Sequence, residues 1–274
     1  MALSPSDIAR YRSLGYLTDL PGLTVGECEE LGARIAAFGR RHGVQEQLVL
    51  RNKAHLKLPA LAPVVADPRI VDAVAAVLGP DVLCWGSSLF IKEPGGPEQV
   101  AWHQDSYYWD IEGDAVCTAW VALIPSTSLN GAMRVIPGSH LLPPRRHAAS
   151  PSGSANMLFS YEEISGEVNE AEAVELTLAA GRFSLHHMAI VHGSAANHSA
   201  GRRMGYSITY LNPAKVRHHA RRTHGLLVRG REWGMFSPDP VPDGEMDPAV
   251  LAFVDEQFGR LAPRSGTAGR TSSR

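Results

Sequence analysis

Between residues 82 and 211 the chain breaks into short runs rich in β-branched and aromatic residues. They cover 82–91, 116–124, 132–136, 174–178, 182–186 and 204–211, with Gly, Pro, Asn or Asp in the segments between. Six such runs over about 130 residues suggest an antiparallel sandwich or jelly roll, which leaves few sheet edges exposed. Asn130-Gly131 predicts a turn between two of the strands. The stretch from Pro143 to Glu172 is polar and rich in Pro, Ser and Gly, and reads as a long insertion that could serve as a mobile lid.

The flanking segments have a helical period instead. Ser6-Asp7 opens a short helix with Ile8, Tyr11 and Leu14 on one side. Thr24 and Glu27 fit a capping box ahead of Cys28, Leu31, Ile35 and Phe38, and Arg40-Arg41-His42-Gly43 supplies terminal cations and a glycine stop. Asp67-Pro68 starts another helix that ends at Gly79-Pro80, and Asp247-Pro248 starts a last one running to Leu261. The expected organisation is one domain over 1–262. Helices cover about 1–80, the jelly-roll core occupies about 82–212, and a basic segment and helix fill 213–262, followed by a disordered tail at 263–274.

Composition excludes more than it identifies. With 26 basic against 28 acidic residues, the net charge of -2 creates no field that would recruit nucleic acid or an anionic membrane. Cys28, Cys84 and Cys117 form neither a disulfide framework nor a Cys-x-x-Cys motif, which fits a reducing cytoplasm. We find no leader pattern and no apolar run of about 18 residues, so a soluble cytoplasmic protein, monomer or homodimer, is expected.

The chemistry concentrates in Trp102-His103-Gln104-Asp105-Ser106-Tyr107-Tyr108-Trp109. On an extended segment, residues two apart point to the same side, so His103 and Asp105 can grip one metal ion. A third ligand would complete a 2-His-1-carboxylate face, which leaves the far side of an iron ion open to a cosubstrate and O2. His192, in Val191-His192-Gly193-Ser194, is the leading candidate, with His186, His187 and His198 as rivals. Arg203 follows eleven residues after His192, just inside a strand, where its planar fork could hold a dicarboxylate. Tyr107, Tyr108 and Trp109 are candidate substrate contacts. Arg134 should face the barrel, where it would meet a substrate acid or form a structural salt bridge. The basic run from Lys215 to Arg231, with Arg217, Arg221, Arg222 and Arg229, reads better as a solvated face or dimer contact than as an anion site.

Taken together, Trp-His-Gln-Asp at 102–105, Trp120, Asn130-Gly131 with Ile136-Pro137-Gly138-Ser139-His140, and His192-Gly193-Ser194 with Arg203 resemble the phytanoyl-CoA dioxygenase family of Fe(II)/2-oxoglutarate oxygenases. The resemblance runs from about residue 5 to 245. It implies a double-stranded β-helix core of jelly-roll or cupin type. His103, Asp105 and His192 would bind iron, while Arg203, Ser194 and Trp120 would contact 2-oxoglutarate. Leu89 and the Lys53 to His55 stretch fall where other members touch that cosubstrate. Halogenating relatives replace the carboxylate ligand with a small residue, so Asp105 favours oxygenation. The implied reaction converts 2-oxoglutarate and O2 to succinate and CO2 while oxidising a C–H bond of a small molecule. Two other classes compete: a non-catalytic jelly-roll binding module, and a cupin-type metalloenzyme that does not use 2-oxoglutarate.

Overall fold

Alternation along the strand Arg203–Leu211 sets the architecture. Met204, Tyr206, Ile208 and Tyr210 project into a core shared with helices, whereas Arg203 projects the other way, over the Trp120 ring. The computed structural model describes residues 3–109, 111, 112, 114–158, 161–218 and 223–258. Arg203–Leu211 lies in the middle of a seven-stranded sheet. The order is Tyr16–Pro21, Arg182–His187, Val116–Ala122, Arg203–Leu211, Val82–Lys92, Thr223–Arg229 and Phe236–Pro238. A four-stranded sheet of Val100–His103, His192–Ser194, Met133–Val135 and Val174–Leu176 faces it. The chain crosses between the two sheets repeatedly, which makes the core a double-stranded β-helix.

Helices Pro5–Leu14, Val25–His42 and Pro68–Leu78 cover the outer face of the larger sheet. Leu31, Ile35 and Phe38 from one helix and Ile70 and Val74 from another meet Tyr206, Ile208 and Tyr210 of the sheet, all buried. Each large aliphatic side chain buried here contributes roughly 1.5–3 kcal/mol. The capping box of Thr24 with Glu27 is present, and Gly43, at φ 64°, closes that helix. The first helix begins earlier than Ser6-Asp7 indicates. Ser4 is its cap, exchanging hydrogen bonds with Asp7, and Pro5 takes the first helical position.

One strand escapes the sequence pattern, and one expected turn links the two sheets. Tyr16–Pro21 is an edge strand on Arg182–His187; a bulge between Leu17 and Leu20 interrupts its alternation and hides it from pattern reading. Asn130-Gly131 makes the expected turn between Val116–Ala122 and Met133–Val135, two strands that lie in different sheets. Ser128–Asn130 forms a single 3-10 turn, and Gly131, at φ 78°, carries the chain from the larger sheet to the smaller. A Cβ on Gly131 would collide with the Ala195 carbonyl, so glycine is required twice over. Among the described residues, no helix is long and apolar enough to cross a membrane. Leu261 and the tail at 263–274 lie outside the described residues, as do Arg221 and Arg222 of the basic segment. Arg229 of that segment is paired with Asp72 at 2.7 Å.

Candidate metal centre

Strand pairing brings the first two imidazoles together: Val100–His103 and His192–Ser194 are antiparallel neighbours with His103 opposite His192. Their rings lie 4.0 Å apart, centroid to centroid. The chain leaves the strand at His103, and Asp105 opens a short 3-10 turn, so the extended geometry ends one residue early. The turn still delivers the carboxylate, with Oδ1 3.4 Å from His103 Nε2. One ligand atom from each of His103, Asp105 and His192 lies within 4.8 Å of the others.

Both imidazoles are held in one tautomer. His103 Nδ1 donates to the Ala101 carbonyl at 2.9 Å and His192 Nδ1 to the Ile190 carbonyl at 3.0 Å, so each Nε2 lone pair faces the cluster. Burial, reinforced by neighbouring His103, holds the His192 pKa well below that of free imidazole and keeps the ring neutral for metal binding. Burial alone would raise the Asp105 carboxyl. The imidazoles of His103 and His186 that face its two oxygens outweigh it and hold Asp105 below the usual carboxylate range.

Behind the cluster, Arg203 is 2% exposed and its guanidinium stacks on Trp120, 4.5 Å from the ring centroid. Among the described residues it has no acidic partner, and its Nε has no acceptor. Burial lowers its pKa to about 9. Gly205 opposes the same indole, and any Cβ there would overlap the ring. Ser194 lies nearby and accepts from Lys92 Nζ at 2.7 Å, which leaves its own O–H free to donate. Lys92 also donates to the Ser194 and Ala195 carbonyls, and burial beside Arg203 lowers its pKa to about 6. A buried, anion-free guanidinium beside a free hydroxyl fits the remote carboxylate of 2-oxoglutarate, and the neutral imidazoles with one carboxylate fit Fe(II).

The remaining candidates separate. Leu89 pairs with Tyr206 and packs in the helix-side core, on the opposite face of the sheet from Arg203. His55 also lies on that side; its Nδ1 is 2.7 Å from Ser87 Oγ and its Nε2 3.5 Å from Asp239. Lys53 completes that cluster, donating to both Asp239 oxygens at 2.8 and 2.9 Å. Alternation along the strand puts Leu89, opposite Tyr206, on the face away from Arg203, so the position suggested by the resemblance is not brought to the cluster.

Arg134 takes the salt-bridge alternative, though not from the barrel side. It pairs opposite Gly193 while Met133 and Val135 point inward, so its side chain lies on the outer face, bound to Glu170 at 2.8 Å and stacked over Trp102. Tyr107 is exposed and stacks on His147 at 4.0 Å, and Tyr108 donates to the Glu162 carbonyl while its ring stands 6.1 Å from His103. Trp109 meets Trp85 edge to face at 5.3 Å, against an apolar cluster that includes Val116, Met188 and Leu211. Sequence reading missed Trp85 and Lys92. A lysine inside the apolar run Leu89-Phe90-Ile91 was the available signal for the second; Trp85 turns inward only because a bulge shifts register between Cys84 and Gly86.

The 143–172 insertion is tied to the ligand segment. Gln104, between the two ligands, accepts from the Arg145 amide at 2.8 Å and donates to the Ala189 carbonyl at 2.6 Å, and its own amide donates to His147 Nε2 at 3.1 Å.

A double-stranded β-helix with two histidines and an aspartate converging between its sheets, backed by a buried arginine with no acidic partner among the described residues, defines the class of non-haem iron, 2-oxoglutarate-dependent oxygenases. The comparisons agree with that class. The phytanoyl-CoA dioxygenase (PhyH) family model matches residues 11–205, and the chain belongs to that family. The solved structure of a non-heme monooxygenase, ThoJ in its apo form, superposes with a TM-score of 0.80 at 33% identity, covering 93% of this chain and 95% of that one. A probable alpha-ketoglutarate-dependent hypophosphite dioxygenase from Stutzerimonas stutzeri is 30% identical over 174 residues, 63% of this chain and 60% of the relative. The peroxisomal phytanoyl-CoA dioxygenase of Homo sapiens is 27% identical over 151 residues, 53% of this chain and 44% of the relative.

Proposed function

We propose that this protein hydroxylates an unactivated C–H bond of a small organic molecule, using Fe(II), 2-oxoglutarate and O2. The single observation that supports this most is the presence, between the same two sheets, of a two-histidine, one-carboxylate cluster and a buried guanidinium with no acidic partner among the described residues. When bound, iron with 2-oxoglutarate supplies the oxidising power, releasing succinate and CO2.

The chain's own residues supply binding and orientation. His103, Asp105 and His192 would hold the metal and leave room beside it for cosubstrate and O2. Arg203 would pair with the far carboxylate of 2-oxoglutarate, and Ser194, its hydroxyl oriented by Lys92, would donate to the same group. Trp120 walls that subsite and fixes the guanidinium plane. Trp85, Trp109 and Met188 give the adjoining apolar cluster a surface suited to a hydrocarbon or ring portion of the substrate. That composition favours a natural-product intermediate, an amino-acid derivative or an acyl compound. Three buried, unpaired cysteines support a reducing, cytoplasmic setting.

The test is anaerobic titration of the apoprotein with Fe(II) and then 2-oxoglutarate, following the weak visible charge-transfer band of a chelated 2-oxo acid. The band is expected in the wild type and absent in His192→Ala. Iron binding without the band would favour a cupin-type metalloenzyme, and no iron binding would favour a non-catalytic module.

A further inference from the structure

A third imidazole stands at the cluster, beside those of His103 and His192. Along Arg182–His187, Phe183 and Leu185 enter the helix-side core, so Ser184 and His186 project between the sheets. His186 is 2% exposed, its ring centroid is 4.8 Å from that of His192, and its Nε2 is 3.7 Å from Asp105 Oδ2. The two oxygens of Asp105 therefore face different imidazoles: Oδ1 faces His103 and Oδ2 faces His186. No other acid or carbonyl among the described residues engages His186, and its Nδ1 is buried without a partner.

We infer that His186 is a positioning residue that donates from Nε2 to the outer oxygen of Asp105, keeping this carboxylate a one-oxygen metal ligand. This rests on the metal-site reading proposed above. A carboxylate free to turn can chelate through both oxygens and occupy an extra coordination position. A donor on Oδ2 would remove that option and keep room at the metal for the cosubstrate and O2. The Nε2–H tautomer leaves Nδ1 as an acceptor, opposite the likewise unpartnered Thr118 hydroxyl on the paired strand. Arg203 and His186 thus act on the same cavity from different strands, one on the cosubstrate and one on the metal's carboxylate.

The test is anaerobic titration of the purified full-length protein with Fe(II), and with Co(II) for its ligand-field spectrum, using His186→Gln, His186→Asn and His186→Phe. Gln keeps a donor at the Nε2 distance, Asn keeps polarity without the reach, and Phe keeps the ring without the donor. Positioning predicts that His186→Phe and His186→Asn weaken Fe(II) binding by roughly 10–100-fold and alter the Co(II) bands, while His186→Gln stays within about threefold of wild type. A merely packed ring predicts the reverse order, Phe nearest to wild type and Gln furthest. That order, or equal affinity in all three variants, overturns the inference. Should His186→Phe fail to fold, the Gln and Asn pair decides alone. Wild-type protein that binds no better than His192→Ala would sink the metal reading itself, an outcome distinct from failure of the His186 assignment.

Discussion

A guanidinium sealed inside a protein needs an anion, and Arg203 has none among the described residues, so at this position the fold retains a polar group whose partner must come from outside. Arg203→Met should raise the apparent KM for 2-oxoglutarate on the order of 100-fold, about 3 kcal/mol, because the bound carboxylate loses its charged partner. Arg203→Lys should recover only part of that, since an ammonium cannot reproduce the planar fork; steady-state succinate release measures both. Gly205 allows this arrangement, because only hydrogen fits against the Trp120 indole. Gly205→Ala should cost roughly 1–3 kcal/mol in urea unfolding and weaken 2-oxoglutarate binding as the indole is displaced. An Ala that left both quantities unchanged would show that Trp120 is not the wall of the subsite.

Short elements that look dispensable in sequence hold the larger ones in place. The Gln104 clamp joins the ligand segment to the insertion, and the Tyr107 ring stacks on the same His147. His147→Ala should therefore speed amide exchange at Gln104 and expose 143–172 to limited proteolysis, with little change in the global unfolding midpoint. On the helix side, Lys53, His224 and Asp239 tie the N-terminal cover to the last strands of the larger sheet, and Lys53 and Asp239 side chains are each only 2% exposed. Asp239→Asn should destabilise the protein by about 3–5 kcal/mol, because it leaves a buried ammonium without its counter-ion. Replacing both partners, as in Lys53→Met with Asp239→Leu, should restore most of that loss. Chemical denaturation of the two variants separates the value of the pair from the cost of an orphaned charge.

Across the whole molecule, several histidines are buried in the neutral form. Burial lowers the pKa of His55, His187 and His192 below the value near 6.5 that they take in the unfolded chain. Below about pH 6.5 the unfolded chain then binds more protons than the fold, so stability is complete above that pH and falls as pH drops. Asp239, whose carboxyl is lowered because His55 and Lys53 outweigh burial, adds a second loss below about pH 4. Thermal unfolding of the metal-free protein from pH 8 to 4 should show a midpoint that declines through the first window and steepens in the second. A midpoint constant from pH 8 to 5 would contradict neutral burial of the three histidines. Fe(II) should oppose the first decline, since it binds only the neutral imidazoles.

Period and punctuation settled most of the fold in advance. Apolar residues at helical spacing placed the helices, and short β-rich runs placed the four central strands of the larger sheet but not Tyr16–Pro21, Thr223–Arg229 or Phe236–Pro238, because burial on one face leaves a periodic trace that short or bulged edge strands lack. The ligand pair His103 and Asp105 was legible for a similar local reason, being two residues apart, and resemblance supplied His192 and Arg203. Sidedness was not legible where a bulge or a crossover intervened. Trp85 turns inward at a register shift, Arg134 faces outward because its strand is entered through the Gly131 crossover, and Leu89 lies one face away from Arg203. The approach of His186 to Asp105, the seating of Lys92 under Ser194 and the closure of Asp239 on Lys53 join residues 81 to 186 positions apart. Contacts of that kind depend on which strands become neighbours, and strand order is decided by the packing of the whole chain rather than by any segment's own pattern.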